Sequence, residues 1–506
     1  MAHSHGQLAL KGLAPDQGSS PYVRRDPESS VLYQIVAKHL NTFLQATEML
    51  GKKLPRHVTD EFDAYLRCGV LAYGFLRLQC KGCKHERLVA FSCKKRGMCP
   101  SCGGRRMAET AAHLLDHVFP KVGIRQWVIS FPFPVRYLLA RDSKIQSKCL
   151  EIVLRAITTF LKKKVKKQGA KGQLQTGAVT LIQRFGGSLN LNPHSHMLVL
   201  DGAYDIKEAG KTPRFHWIQN LTDDDVKDLV KIIAIRVIRY LQRQGHFRDD
   251  SPGLADHEAN EDEILPELQA ASVQSKIAMG ERKGLPVRRL GSWGMIVDEN
   301  PYSTAPLCAS IQGFSLHAGV YCAPWEREKL EHLCRYVARP AIAEDRLRVD
   351  PTGEIIYKLK RDYNDGTSHL IFTPLEFMEK LAALVPRPRV HLTRFHGCLA
   401  PHAKIRSLIV PKKEEPVAMG VSAQAAPVDE NQKMKKRRIG WAELLARVFA
   451  IDMKNCPNCG AGELKPISAI LETKVIVKIL GHMGLSSKPP DIAPANFSLA
   501  VEFCKA

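Results

Sequence analysis

Long apolar runs are missing from this chain. No stretch of its 506 residues approaches the roughly 18 unbroken apolar residues that a membrane-spanning helix needs. The opening MAHSHGQLALKGLAP lacks the charged-then-apolar plan of a signal peptide, so a soluble intracellular protein is expected. Cysteine is sparse: 14 residues cannot staple a chain of this length, and clustered cysteines in a reducing compartment point to metal. No internal repeat of useful length is present, which argues against a solenoid. Acidic residues are in deficit, 51 Asp and Glu against 74 Lys and Arg, leaving a formal charge of +23. That excess favours a polyanionic partner such as nucleic acid, although charge alone does not separate DNA from an anionic membrane surface.

What is present is ordinary globular composition, 44% hydrophobic and 25% charged, in a length that suggests about three domains. Residues 1–30 read as a loose polar tail. Val31, Leu32, Ile35, Val36, Leu40 and Phe43 recur at helical spacing. Further helices are expected over Arg106–Val118, 143–168, 222–245 and 324–339, and strands over Trp127–Phe131, Ala178–Phe185, Leu189–Leu200, Ser292–Val297 and Phe314–Cys322. Gly186-Gly187-Ser188 between two apolar runs suggests a hairpin. An acidic insertion spans 247–270, and residues 411–440 read as a linker ending in the basic cluster Lys433–Arg438.

Cys80 and Cys83 form one C-x2-C knuckle and Cys99 and Cys102 another, fifteen residues apart, a spacing that fits one closed S4 zinc site. Cys68, Cys93 and His85 read as bystanders or as replacement ligands. Four thiolates leave no open position, so this zinc is structural rather than catalytic. Lys94, Lys95, Arg96, Arg105 and Arg106 around it, with Lys163 and Lys166 in the Lys162–Lys167 run, suit phosphate contacts. Cys456-Pro-Asn-Cys459 is half a similar knuckle; it reads either as a reduced pair or as zinc shared with another segment.

In LNLNPHSHMLVLDGAY, alternation on a strand puts His194, His196, Leu198 and Leu200 on one face and Met197 and Val199 on the other. Two imidazoles side by side suit a divalent cation; ordinary strand-end hydrogen bonds are the other reading. Gln183 interrupts an apolar face of the preceding strand as either a third ligand or a satisfied core amide. In PWEREKLEHLCRYVAR, Leu330, Leu333, Cys334 and Val337 form a buried stripe, with Pro324 at a first helical position. Tyr336 sits on the flank of that stripe, with His332 at i−4 and Arg339 at i+3.

CPSCGGRRM, LIQRFGGSLNLNPHSHMLVLDGAY, LHAGV, LCRYVARPAIAEDRL and RFHGCLAPHAKIR occur in that order. Together they resemble the rolling-circle transposases of the insertion sequence 91 family over roughly residues 30–410 and the CPNCG tail. The resemblance implies an α+β protein, prokaryotic, cytoplasmic and nucleoid-associated. It implies a zinc-ribbon-like DNA-binding domain (31–122) and a nuclease domain of the HUH (His-hydrophobe-His) type (123–410), an antiparallel sheet flanked by helices. Residues 441–506 would form a small C-terminal module. His194 and His196 fall on the HUH positions, which bind Mg2+ or Mn2+, and Tyr336 falls on the nucleophile position; Gln183 is the third metal ligand expected from its strand position. The implied activity is cleavage and rejoining of single-stranded DNA through a 5′-phosphotyrosine; as aromatic residues of a DNA-binding chain, Phe131 and Phe133 are read as candidates for stacking on bases.

Two departures are visible. Ser195 replaces the middle hydrophobe, on the face opposite the histidines. Pro340 stands four residues after Tyr336, where paired-tyrosine members carry a second tyrosine, so the chain is closest to the single-tyrosine insertion sequence common regions. Two other functions compete: a replication initiator or relaxase with the same chemistry, and a zinc-ribbon DNA-binding regulator without nuclease activity.

Overall fold

The computed structural model describes residues 20–21, 26–206, 213–247, 262–291, 305–410, 451–452, 456–460 and 462–504. Most of the expected tail, residues 248–261 of the acidic insertion, the Ser292–Val297 strand and the 411–440 linker with its basic cluster lie outside the described residues. No helix among the described residues is long and apolar enough to cross a membrane.

Side chains that alternate between two covered faces along three adjacent strands create the platform on which the site stands. Six strands form one antiparallel sheet: β1 (Ile124–Ser130), β2 (Gly177–Phe185), β3 (Leu191–Leu200), β4 (Cys308–Ile311), β5 (Phe314–Cys322) and β6 (Thr393–Gly397), in the order β4-β5-β1-β3-β2-β6. Four helices cover it: α1 (Pro100–His117), α2 (Ser143–Lys167), α3 (Asp223–Arg243) and α4 (Arg327–Val337). On one face Trp127, Ile129, Met197, Val199 and Leu316 pack against Val153, Ile157 and Leu161 of α2 and Val230, Ile233 and Val237 of α3. On the other, Val179, Leu181, Leu198 and Leu200 pack against Leu114 and Leu115 of α1 and Leu330, Leu333, Cys334 and Val337 of α4. The stripe expected on the tyrosine helix is therefore the surface that docks it on the sheet.

Helix starts differ from expectation. α1 begins at Pro100, with Cys99 as its N-cap, because proline tolerates the first helical position. Its two early glycines do not break it; Gly103 lies against Pro340, where a β-carbon would come 2.6 Å from the proline Cβ. α4 begins at Arg327, not Pro324, because the Glu326 carboxylate accepts the Ala323 N–H at 2.7 Å and closes a turn first. α3 starts where Thr222 and Asp225 form a reciprocal capping box.

The chain forms two units whose boundaries are not linear. The larger takes its described residues from 26–68, 92–410 and 489–504. The helices Val31–Met49 and Arg56–Arg67, expected in a separate zinc domain, bury Leu32, Val36, Phe43 and Phe62 in one core with Leu375, Phe377 and Leu381. A four-stranded sheet, Arg288–Leu290, His369–Phe372, Ile355–Lys358 and Leu347–Val349, was not expected from the sequence. The smaller unit pairs Leu464–Ile470 antiparallel with the hairpin Phe75–Cys80 and Glu86–Ala90. Thus the C-terminal segment is no separate module: Ile476 and Leu480 of the helix Thr473–His482 share a small core with Leu71, Phe75 and Leu88.

Leu198 is fully buried where β3 meets the tyrosine helix. Leu198→Ala is expected to cost about 2–5 kcal/mol, measured as a lowered denaturant midpoint for the larger unit's transition.

Candidate active site and zinc centre

Strand pairing sets the site. Gln183 of β2 lies opposite His194 of β3, Leu181 opposite His196, and His196 opposite Val128 of β1, which in turn faces His317 of β5. His194 and His196 have ring centroids 5.0 Å apart, and the Tyr336 ring lies 6.2 Å from His196 in an edge-on arrangement. The structure thus brings His194, His196, Gln183 and Tyr336 together. Ser195 is buried on the opposite face.

Each imidazole has one nitrogen engaged. His194 Nδ1 donates to the Asn192 carbonyl at 2.7 Å, and His196 Nδ1 is hydrogen-bonded to the buried Gln126 side-chain amide, also at 2.7 Å. The Asn192 carbonyl fixes the His194 proton on Nδ1 and leaves Nε2 a lone pair for a ligand, while the Gln126 amide holds the His196 ring in place. Burial, reinforced by Arg339 and Arg136, lowers His194 to about 4 against a smaller opposing effect of the Asn192 carbonyl. Burial, with His194, Arg339 and His317, holds His196 well below its ordinary value. Neutral imidazoles are the form a cation requires.

Gln183 Nε2 donates to the Val337 carbonyl at 2.8 Å and ties β2 to the end of the tyrosine helix. Its Oε1 is buried with no hydrogen-bond partner, and so is Oδ1 of Asn192, two residues before His194. Two orphaned oxygens beside two neutral imidazoles are a donor set that fits Mg2+ or Mn2+.

Tyr336 is 37% exposed, so part of its side chain faces solvent. Burial raises its phenol, but the charge and hydrogen bond of Arg339 and the charges of Lys360 and Arg361 outweigh this and leave it lowered. Arg339 and Lys360 each lie 4.5 Å from the Tyr336 ring centroid. Tyr357 is buried and hydrogen-bonded to Arg346.

The cysteines divide differently from expectation. Cys68, Cys93, Cys99 and Cys102 form one group, with Sγ separations of 3.7 Å for Cys68–Cys102, 3.6 Å for Cys68–Cys99 and 3.4 Å for Cys93–Cys102. A tetrahedral site with Zn–S bonds of about 2.3 Å has sulfur–sulfur edges of about 3.8 Å, so these thiols fit zinc. Cys80 and Cys83 belong instead to a group with Cys456 and Cys459. The single site of Cys80, Cys83, Cys99 and Cys102 is therefore corrected: spacing along the chain does not reveal which knuckle folds against which.

Of the cations assigned to DNA, Arg96 hydrogen-bonds the carbonyls of Val390 and Arg387, Arg106 those of Lys95 and Lys94, and Arg105 pairs with Glu109 at 2.9 Å. Arg96 and Arg106 brace the loop beside the zinc thiols. Lys94, Lys163 and Lys166 are exposed and Lys95 is half-buried. Phe131 is buried in an edge-on contact with Phe314 and has no face for a base, which corrects that expectation; Phe133 is exposed under the Arg136 guanidinium.

Two family models match this chain: a "Putative transposase" family over residues 177–406, and a "Transposase zinc-binding domain" of the insertion sequence 91 type over residues 35–131. These matches support an insertion sequence 91 family transposase. The first spans His194, His196, Gln183 and Tyr336, and the second spans Cys68, Cys93, Cys99 and Cys102. They support transposase activity with a zinc-binding domain and structural zinc, and a transposase acts on DNA. Comparison with curated proteins and with solved structures gives no match.

Sequence reading gave no role to Gln126, His317, Lys360 and Arg361, which reach the site through pairing of distant segments, or to Asn192, two residues before His194; His317 and Asn192 nevertheless lie inside the LHAGV and LNLNPHSH runs. Because Arg339 and Lys360 favour the phenolate, Arg339→Gln with Lys360→Gln is expected to move the pH profile of any Tyr336-dependent reaction toward higher pH. At neutral pH the rate falls by roughly tenfold per unit of pKa. An unmoved profile contradicts this electrostatic role.

Proposed function

We propose that this transposase cuts and rejoins single-stranded DNA by an HUH-type mechanism with Tyr336 as its sole nucleophile. The observation that carries the reading is the edge-on approach of Tyr336 to His196 on the sheet face that also holds His194 and Gln183. A bound Mg2+ or Mn2+ on His194, His196 and the Gln183 carbonyl would polarise the scissile phosphate, and the imidazoles favour Mn2+ in vitro.

The protein's own groups perform the rest. Arg339 and Lys360 hold the phenol toward its ionised form beside the phosphate. The phenolate oxygen attacks phosphorus in line, the Tyr O–P bond forms, the P–O3′ bond breaks, and the departing 3′-oxygen takes up a proton. The adduct keeps the phosphodiester's energy, so a later 3′-hydroxyl attacks the same phosphorus, releases Tyr336 and reseals DNA without a nucleotide cofactor. The single tyrosine agrees with the insertion sequence common region type, since Pro340 occupies the position of a second one and Tyr357 is buried. Lys94, Lys95, Lys163 and Lys166 contribute salt-sensitive phosphate contacts.

With an oligonucleotide carrying the element's terminal sequence and Mn2+, the wild type is expected to form a denaturation-resistant protein–DNA adduct. Tyr336→Phe should form none, and His194→Ala with His196→Ala should lower the rate at least a hundredfold. An adduct that survives Tyr336→Phe, or undiminished cleavage by the double histidine variant, overturns the assignment.

A further inference from the structure

We infer that Cys80, Cys83, Cys456 and Cys459 bind a second Zn2+, separate from the one fitted by Cys68, Cys93, Cys99 and Cys102, and that this zinc makes the C-terminal knuckle part of the N-terminal zinc-binding region. The inference does not depend on the nuclease mechanism. The four Sγ atoms lie within 4.8 Å of one another, with Cys80–Cys459 at 3.7 Å and Cys83–Cys456 at 3.5 Å. These are the edges of a zinc tetrahedron and far beyond the ~2.05 Å of a disulfide.

The two knuckles are built alike. Each is C-x2-C, and the residue after the second cysteine has a positive φ, Lys84 at 63° and Gly460 at 69°. In each, the backbone folds back on its first cysteine: Lys84 N–H donates to the Cys80 carbonyl at 3.2 Å, and Gly460 N–H to the Cys456 carbonyl at 2.8 Å. Asn458 Nδ2 donates to Cys83 Sγ at 3.6 Å, a contact that favours thiolate. Gly462 is pressed against this group; a β-carbon there would meet Cys80 Sγ at 2.1 Å, so the backbone closes around the sulfur.

The surrounding fold needs such a tie. Cys80 ends its strand opposite Leu464, and among the described residues the apolar groups beside the thiols are few: Leu78 and Leu464, with Leu71, Phe75, Leu88, Ile476 and Leu480 behind them. A unit with so small a core gains its stability from a metal or a crosslink. Zinc clamps two segments whose knuckles are separated by more than 370 residues of sequence.

The test is metal content and thiol protection in the full-length protein. The wild type is expected to hold two zinc ions per chain by elemental analysis. Cys456→Ser with Cys459→Ser should leave one, and Cys99→Ser with Cys102→Ser should also leave one. If either variant does not fold, the wild type alone decides. Cys83 and Cys459 lie at the surface, yet alkylation mapped by mass spectrometry should find both protected until a strong chelator is added. One zinc per chain that survives the Cys456 and Cys459 substitutions overturns the inference, as does alkylation of Cys83 and Cys459 at the rate of free thiols before chelation.

Discussion

Everything at the candidate site rests on the alternation of side chains along β3. A period of two places His194, His196, Leu198 and Leu200 on one face of the sheet. The first pair makes the metal-competent half of the site. The second pair makes the apolar seat for the tyrosine helix, whose Leu330, Leu333, Cys334 and Val337 pack there. One strand therefore supplies both the imidazoles and the anchor that sets the distance from Tyr336 to them. A one-residue slip would move both sets to the face occupied by α2 and α3.

Around that strand, several buried polar groups hold the site together. Gln126 orients His196, Asn192 engages His194, and Gln183 binds the end of the tyrosine helix through Val337. Two buried oxygens without partners, Gln183 Oε1 and Asn192 Oδ1, stand on the strands that carry the histidines. The positive charge divides into groups of different setting: Arg339 and Lys360 act on the phenol, Arg96 and Arg106 are committed to backbone carbonyls, and Lys94, Lys163 and Lys166 are exposed. Under the proposed function, the net +23 would retain a polyanion.

How much was legible in the sequence follows from the range of each signal. The face assignment of His194 and His196, the stripe of the tyrosine helix and the placement of Gln183 depend on local periodicity and were read correctly. Partners brought in by strand pairing were not: Gln126 stands on a neighbouring strand with no motif of its own, His317 lies in the LHAGV run but is placed only by pairing of distant strands, and Lys360 follows a strand of the unforeseen four-stranded sheet. The cysteines show the same limit. Cys80 and Cys99 lie close in sequence, but the hairpin Phe75–Ala90 carries one knuckle toward the C-terminal segment while Cys93, Cys99 and Cys102 close on Cys68. The linear boundaries drawn from the sequence likewise do not coincide with the two compact units.

The central claim is that Tyr336 is the atom-level link between protein and DNA. Its most direct test is to isolate the wild-type adduct, digest it with trypsin and nuclease, and locate the nucleotide by mass spectrometry. Trypsin cuts after Arg335, is blocked at Arg339-Pro340 and cuts next after Arg346, so the diagnostic peptide runs from Tyr336 to Arg346. The account predicts a 5′-phosphonucleotide on Tyr336 in that peptide; the nucleotide on any other residue contradicts it.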